Sequence, residues 1–94
     1  MFAGTEIKKY KMKINLTQGI YSSKESTTII TKMIDLIIKY EEDQIKKSMS
    51  EEDAFLRNER IKLLLRDLYE SRDFIERQKG NISINCQMDL LQEN

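Results

Sequence analysis

Asn81-Ile82-Ser83-Ile84-Asn85-Cys86-Gln87-Met88-Asp89-Leu90 decides the fold, because strict alternation returns here after a long stretch of helical pattern. A period of two with one apolar and one polar side is the signature of a half-buried strand. Ile82, Ile84, Cys86, Met88 and Leu90 share one side, and Asn81, Ser83, Asn85, Gln87 and Asp89 the other. The same pattern stands near the start of the chain. There Tyr10, Met12, Ile14 and Leu16 alternate with Lys9, Lys11, Lys13, Asn15 and Thr17. Gly19 follows, marking a bulge or bend before Ile20 and Tyr21.

Between the two alternating stretches the period becomes helical. Ser22-Ser23-Lys24-Glu25 sets a Ser three residues ahead of a Glu, the spacing of a capping box. Ile30, Met33, Ile34 and Ile37 then form a stripe that Ile29, Leu36 and Tyr40 broaden, so this helix has more than one neighbour to face. Asp35 and Lys39, Glu42 and Lys46, and Asp43 and Lys47 stand in the favourable i,i+4 order. Ser48-Met49-Ser50 is the corner. Ser50 caps a second helix whose first turn, Glu51-Glu52-Asp53, is acidic and suits the positive end of its dipole. Ile61, Leu64, Leu65, Leu68 and Ile75 line one face of that helix. Lys79-Gly80-Asn81 stops it.

Strand, helix, helix, strand predicts a single small α+β domain over residues 1–94. Its elements run over about 9–18, 23–47, 51–79 and 82–90, with flexible ends. If the strands run antiparallel, a long antiparallel helical hairpin covers one face of a two-stranded sheet. The expected core is Met12, Ile14, Leu16, Ile30, Ile34, Ile37, Ile61, Leu64, Leu68, Ile84, Cys86 and Met88. A sheet of two strands is marginal and has open edges, so a homodimer is expected, or else a protein partner.

Composition narrows the function. The 94 residues hold 16 Lys and Arg against 16 Asp and Glu, which excludes a uniformly basic coat for nucleic acid. No His is present, so the commonest general base and zinc ligand is missing. The lone Cys86 sits on an apolar strand face, where packing rather than a metal or catalysis is its expected role. The three glycines lie far apart, so there is no phosphate-binding loop. We therefore expect no enzyme, no cofactor, no metal and no small-molecule substrate. Glu41-Glu42-Asp43 and Glu51-Glu52-Asp53 lack the spacing of a calcium loop and read as solvated helix ends. Met1 to Lys13 has no apolar core of a secretory signal, and the run Leu36-Ile37-Ile38 is far too short for a membrane span, so a cytoplasmic chain with no membrane partner is expected.

The candidate binding face is the polar side of the first strand: Lys9, Lys11, Lys13, Asn15 and Thr17. In two-stranded ribbons that enter the DNA major groove, outward residues of these types offer donors and acceptors to base edges. One such strand followed by two helices, over residues 9 to 79, resembles the ribbon–helix–helix repressors. That resemblance implies a nucleic-acid partner and a DNA-binding regulator as the alternative function. The chain departs from the family in its long first helix, its Gly-free corner and its second strand. The same lysines also serve to solvate a strand and keep its edge from pairing. The leading expectation is a small interaction or structural protein that works by self-association or through a protein partner.

Overall fold

The Ser22 hydroxyl accepts a hydrogen bond from the Glu25 backbone N–H at 3.0 Å, and the Ser22 N–H donates to Glu25 Oε1 at 3.0 Å. Two amides with no partner inside a helix are thereby satisfied, and α1 (Ser23–Lys47) begins where the capping box places it. The structure, a computed structural model, describes residues 11–93. After Ser48-Met49-Ser50 the Ser50 hydroxyl accepts from the Asp53 N–H at 3.1 Å and opens α2 (Glu51–Arg77). The helix ends earlier than Lys79-Gly80-Asn81 implies. Gln78 is its cap, and Gly80, at φ 94°, turns the chain toward the last strand. The Ser23 hydroxyl donates to the Gly80 carbonyl at 3.2 Å, which ties the two ends of the hairpin together.

The strands are β1 (Lys11–Tyr21) and β2 (Ile82–Leu91), paired in a two-stranded antiparallel sheet. The architecture is α+β, as expected. β1 continues through Gly19 instead of stopping near residue 18. Lys9 and Tyr10 lie outside the described residues. The chain divides into two compact units, the ribbon of residues 11–20 with 83–93 and the helical hairpin Tyr21–Ile82. Among the described residues, no helix is long and apolar enough to cross a membrane.

The hairpin is built on a seam that apolar counting alone does not reveal. On α2, Ala54, Arg57, Ile61, Leu64, Leu68, Ser71 and Ile75 recur at alternating steps of three and four, and every one is buried or half-buried. On α1 the matching series is Thr27, Thr31, Ile34, Ile38, Glu41 and Ile45. This is the spacing of an antiparallel two-helix coiled coil. Arg57 Nη1 donates to Glu41 Oε1 at 2.8 Å across the seam and sets the register. Ile38 then comes level with Ile61, Ile34 with Leu64, Thr31 with Leu68 and Thr27 with Ser71.

Burial corrects the expected core. The buried hydrophobic residues are Ile38, Leu68 and Ile75, at 8%, 7% and 4% exposure, all on the helices. Of the expected set only Leu68 is among them. Ile14, Ile30, Ile34, Ile61, Leu64, Ile84 and Cys86 are half-buried. Met12, Leu16, Ile37 and Met88 are exposed. On the ribbon, Met12, Leu16 and Met88 of the expected core are thus surface residues. Physically, the seam positions take the helices' contact surface, and Thr27, Thr31, Glu41, Arg57 and Ser71 occupy places that an apolar stripe would have used. The three i,i+4 pairs read on α1 do not close as ion pairs; among the described residues, those that form link α2 to itself and to Glu41.

The seam predicts a sharp difference between two leucines that share a stripe in the sequence. Leu68→Ala should lower the unfolding free energy by about 2–4 kcal/mol, and Leu65→Ala, at the seam's exposed flank, by less than about 1 kcal/mol. Denaturant titration followed by helical circular dichroism makes the comparison.

Candidate functional site

The candidate strand face is reproduced in part. Lys11, Lys13 and Asn15 are exposed along β1. Lys9 falls outside the described residues. Thr17 is the exception, because it is half-buried while Leu16 beside it is exposed. From Ile14 onward the less exposed positions are Thr17, Gly19 and Tyr21, so the inner side of the strand changes parity after Ile14. A period-two reading carried straight through from Tyr10 places Thr17 on the wrong side. Lys11, Lys13 and Asn15 therefore form an exposed row, and Thr17 does not join them.

Across the ribbon, β2 presents Ser83, Asn85, Gln87 and Asp89 as exposed polar positions. The Gln87 side-chain amide donates to Asp89 Oδ1 at 3.2 Å. Cys86 is a free thiol, half-buried as its place on the apolar side implies. Among the described residues, no group of three or more Cys, Asp or Glu side chains is placed to hold a metal ion.

The densest electrostatic cluster lies in the hairpin, near its corner. Glu41, read from the sequence as part of a solvated helix end, is buried. Its carboxylate accepts from Arg57 at 2.8 Å and from Arg60 at 3.5 Å. Arg57 also donates through Nε to Asp53 Oδ2 at 3.0 Å. Two carboxylates thus converge on one guanidinium, whose planar fork serves both at once. The bond to Glu41, and then that to Asp53, holds Arg57 above its ordinary pKa. The Arg57 hydrogen bond, followed by one from Ser48, holds the Asp53 carboxyl below its usual value. The sequence did carry a signal for this cluster. Glu41 and Arg57 each fall on a seam position, where an unpaired charge is not tolerated.

The remaining feature is apolar. One flank of the hairpin carries a groove lined by Ile37, Glu41, Arg60, Leu63 and Leu64. Ile37 and Leu63 are exposed at its walls, and Tyr40 and Leu56 are exposed further along the same helices. The opposite flank is mixed, with Tyr69 exposed beside Thr27, Arg72, Asp73 and Glu76. Arg72 reaches from there to Thr31 at 3.5 Å. Arg66 pairs with Asp67, and Arg77 with Asp73, so the outer side of α2 is an ion-paired surface as its composition implies.

No family model, curated protein or solved structure matches the chain.

The lowered pKa of Asp53 fixes the direction of an acid effect. Its contribution to stability is present above the usual carboxylate value of 3.8 and is lost as pH falls through the lowered one. Asp53→Asn should therefore melt below the wild type at neutral pH, and the two curves should converge below about pH 3. Thermal melts across that range make the check.

Proposed function

We propose that this chain acts without catalysis, as a cytoplasmic interaction or structural protein that works by homodimerisation or through a protein partner. The observation that carries the reading is the apolar surface left outside. Met12, Leu16, Met88 and Leu90 are exposed on the ribbon, and Leu36, Ile37, Tyr40 and Leu63 on the hairpin. Apolar patches this extensive on a small chain mark association surfaces. A two-stranded ribbon adds two unpaired edges and is marginal alone in water. Sedimentation equilibrium over a wide concentration range tests the reading. We expect a mass above that of one chain. A monomer at every concentration, with no protein retained from its own host, would contradict it.

A second reading is favoured by one observation, the exposed row Lys11, Lys13 and Asn15 on β1. Such a row suits contact with phosphates and base edges of DNA. It predicts binding to a labelled duplex that weakens steeply as salt rises from about 50 to 200 mM. Lys11→Glu with Lys13→Glu should abolish that binding without lowering the melting temperature. Binding that survives the double substitution sinks the ribbon model.

A further inference from the structure

We infer that a second copy of this chain covers the apolar flank of the hairpin, so that two hairpins close into a four-helix bundle. The inference rests on the associative reading above and names its surface and its occupant.

The seam register assigns each flank its residues. On one side of the seam Ile37 of α1 and Leu63 of α2 line a groove with Glu41, Arg60 and Leu64, and Met33 and Tyr40 fall a turn to either side of Ile37. Ile37 is 46% exposed, Leu63 51% and Tyr40 58%. Helices of 25 and 27 residues run about 40 Å, and two side by side are about 20 Å wide. A flank of this size offers about 800 Å², the share that one partner contributes to a stable interface of standard size. The area is right for another hairpin.

The charges say that the other hairpin is this one. A two-fold axis across the helices at Leu63 lays α2 antiparallel on its own copy. Leu63 then meets Leu63. On the surrounding turns Glu59 comes level with Arg66 of the second copy, and Arg60 with Asp67 of the second copy. Each match occurs twice by symmetry. In the single chain these groups have only exposed or shared partners: Glu59 with Lys62 at 3.1 Å, Arg66 with Asp67 at 3.4 Å, and Arg60 with Glu41 at 3.5 Å. The same axis lays α1 on its copy, with Ile37 near the axis and Met33 level with Tyr40. Apolar helix thus meets apolar helix, and the charged helix meets its own reversed pattern. Stacking α1 on α2 of the other copy would set the apolar stripe against Glu59, Arg60, Arg66 and Asp67. The isologous arrangement is the self-complementary one.

The test uses the full chain in sedimentation equilibrium, with far-ultraviolet circular dichroism as the control for folding. Wild type should have twice the chain mass. Ile37→Glu with Leu63→Glu should give a helical monomer. Arg66→Glu places like charges opposite each other and should raise the dimer dissociation constant roughly tenfold. Glu59→Arg combined with Arg66→Glu restores opposite charges and should return the constant to within about threefold of wild type. If the apolar double variant loses its helix, the charge exchange, made at the surface, decides alone. A dimer indifferent to both sets of changes overturns this face while association stands. A wild type that is monomeric throughout overturns the self-pairing itself, and the associative reading falls with it if no host protein is retained either.

Discussion

The Arg57–Glu41 ion pair, 2.8 Å long and set into the seam between two helices, is the contact on which the rest of the hairpin depends. An unpaired carboxylate at a buried seam position is strongly disfavoured, so every register that separates Glu41 from Arg57 is penalised. Sliding one helix by a turn takes Glu41 away from Arg57, which keeps only Asp53 on its own helix. Apolar seam residues such as Ile34, Ile38, Leu64 and Leu68 can re-pack in a neighbouring register at smaller loss. A polar layer that specifies register at some expense of stability is a known device of coiled coils. Here Asp53 reinforces it from α2 and Arg60 from the flank.

Once the register is fixed, the distribution of surface follows. Two helices have a single mutual seam, and α1 carries apolar residues over much more of its circumference than one seam can take. Ile38 goes in; Leu36, Ile37 and Tyr40 stay out. The flank that keeps Ile37 also holds Leu63, while the other is lined by Tyr69, Arg72, Asp73 and Glu76. The two flanks therefore differ, one centred on Ile37 and Leu63 and the other on Tyr69 with charged residues. The ribbon repeats the imbalance, since Met12, Leu16 and Met88 are exposed. An exposed apolar surface of this extent is what the proposed association would cover.

Boundaries were legible in the sequence because local chemistry sets them. Ser22 with Glu25, and Ser50 ahead of an acidic turn, mark helix starts by hydrogen bonds that involve only neighbours. The alternation of β2 marks the last strand for the same reason. Which residues are buried was less legible, because it depends on partners distant in the chain. Thr27, Thr31 and Glu41 interrupt the apolar series on α1, so counting isoleucines selects Ile30 and Ile37 and misses Ile38. The role of Glu41 becomes visible only beside Arg57. Along β1, Lys11, Lys13 and Asn15 are where alternation puts them, whereas Thr17 follows a change of parity that no local residue announces.

The proposed self-pairing puts Leu63 at the middle of the shared face, and a cross-link reads this directly. In a chain carrying Cys86→Ser, the change Leu63→Cys leaves one thiol, which the two-fold axis sets against its own copy. Mild oxidation followed by non-reducing electrophoresis should give a covalent dimer in high yield, and the same cysteine placed at Leu65 should give little. A Leu63→Cys chain that stays monomeric under oxidation, or links no better than the Leu65 control, would contradict the account.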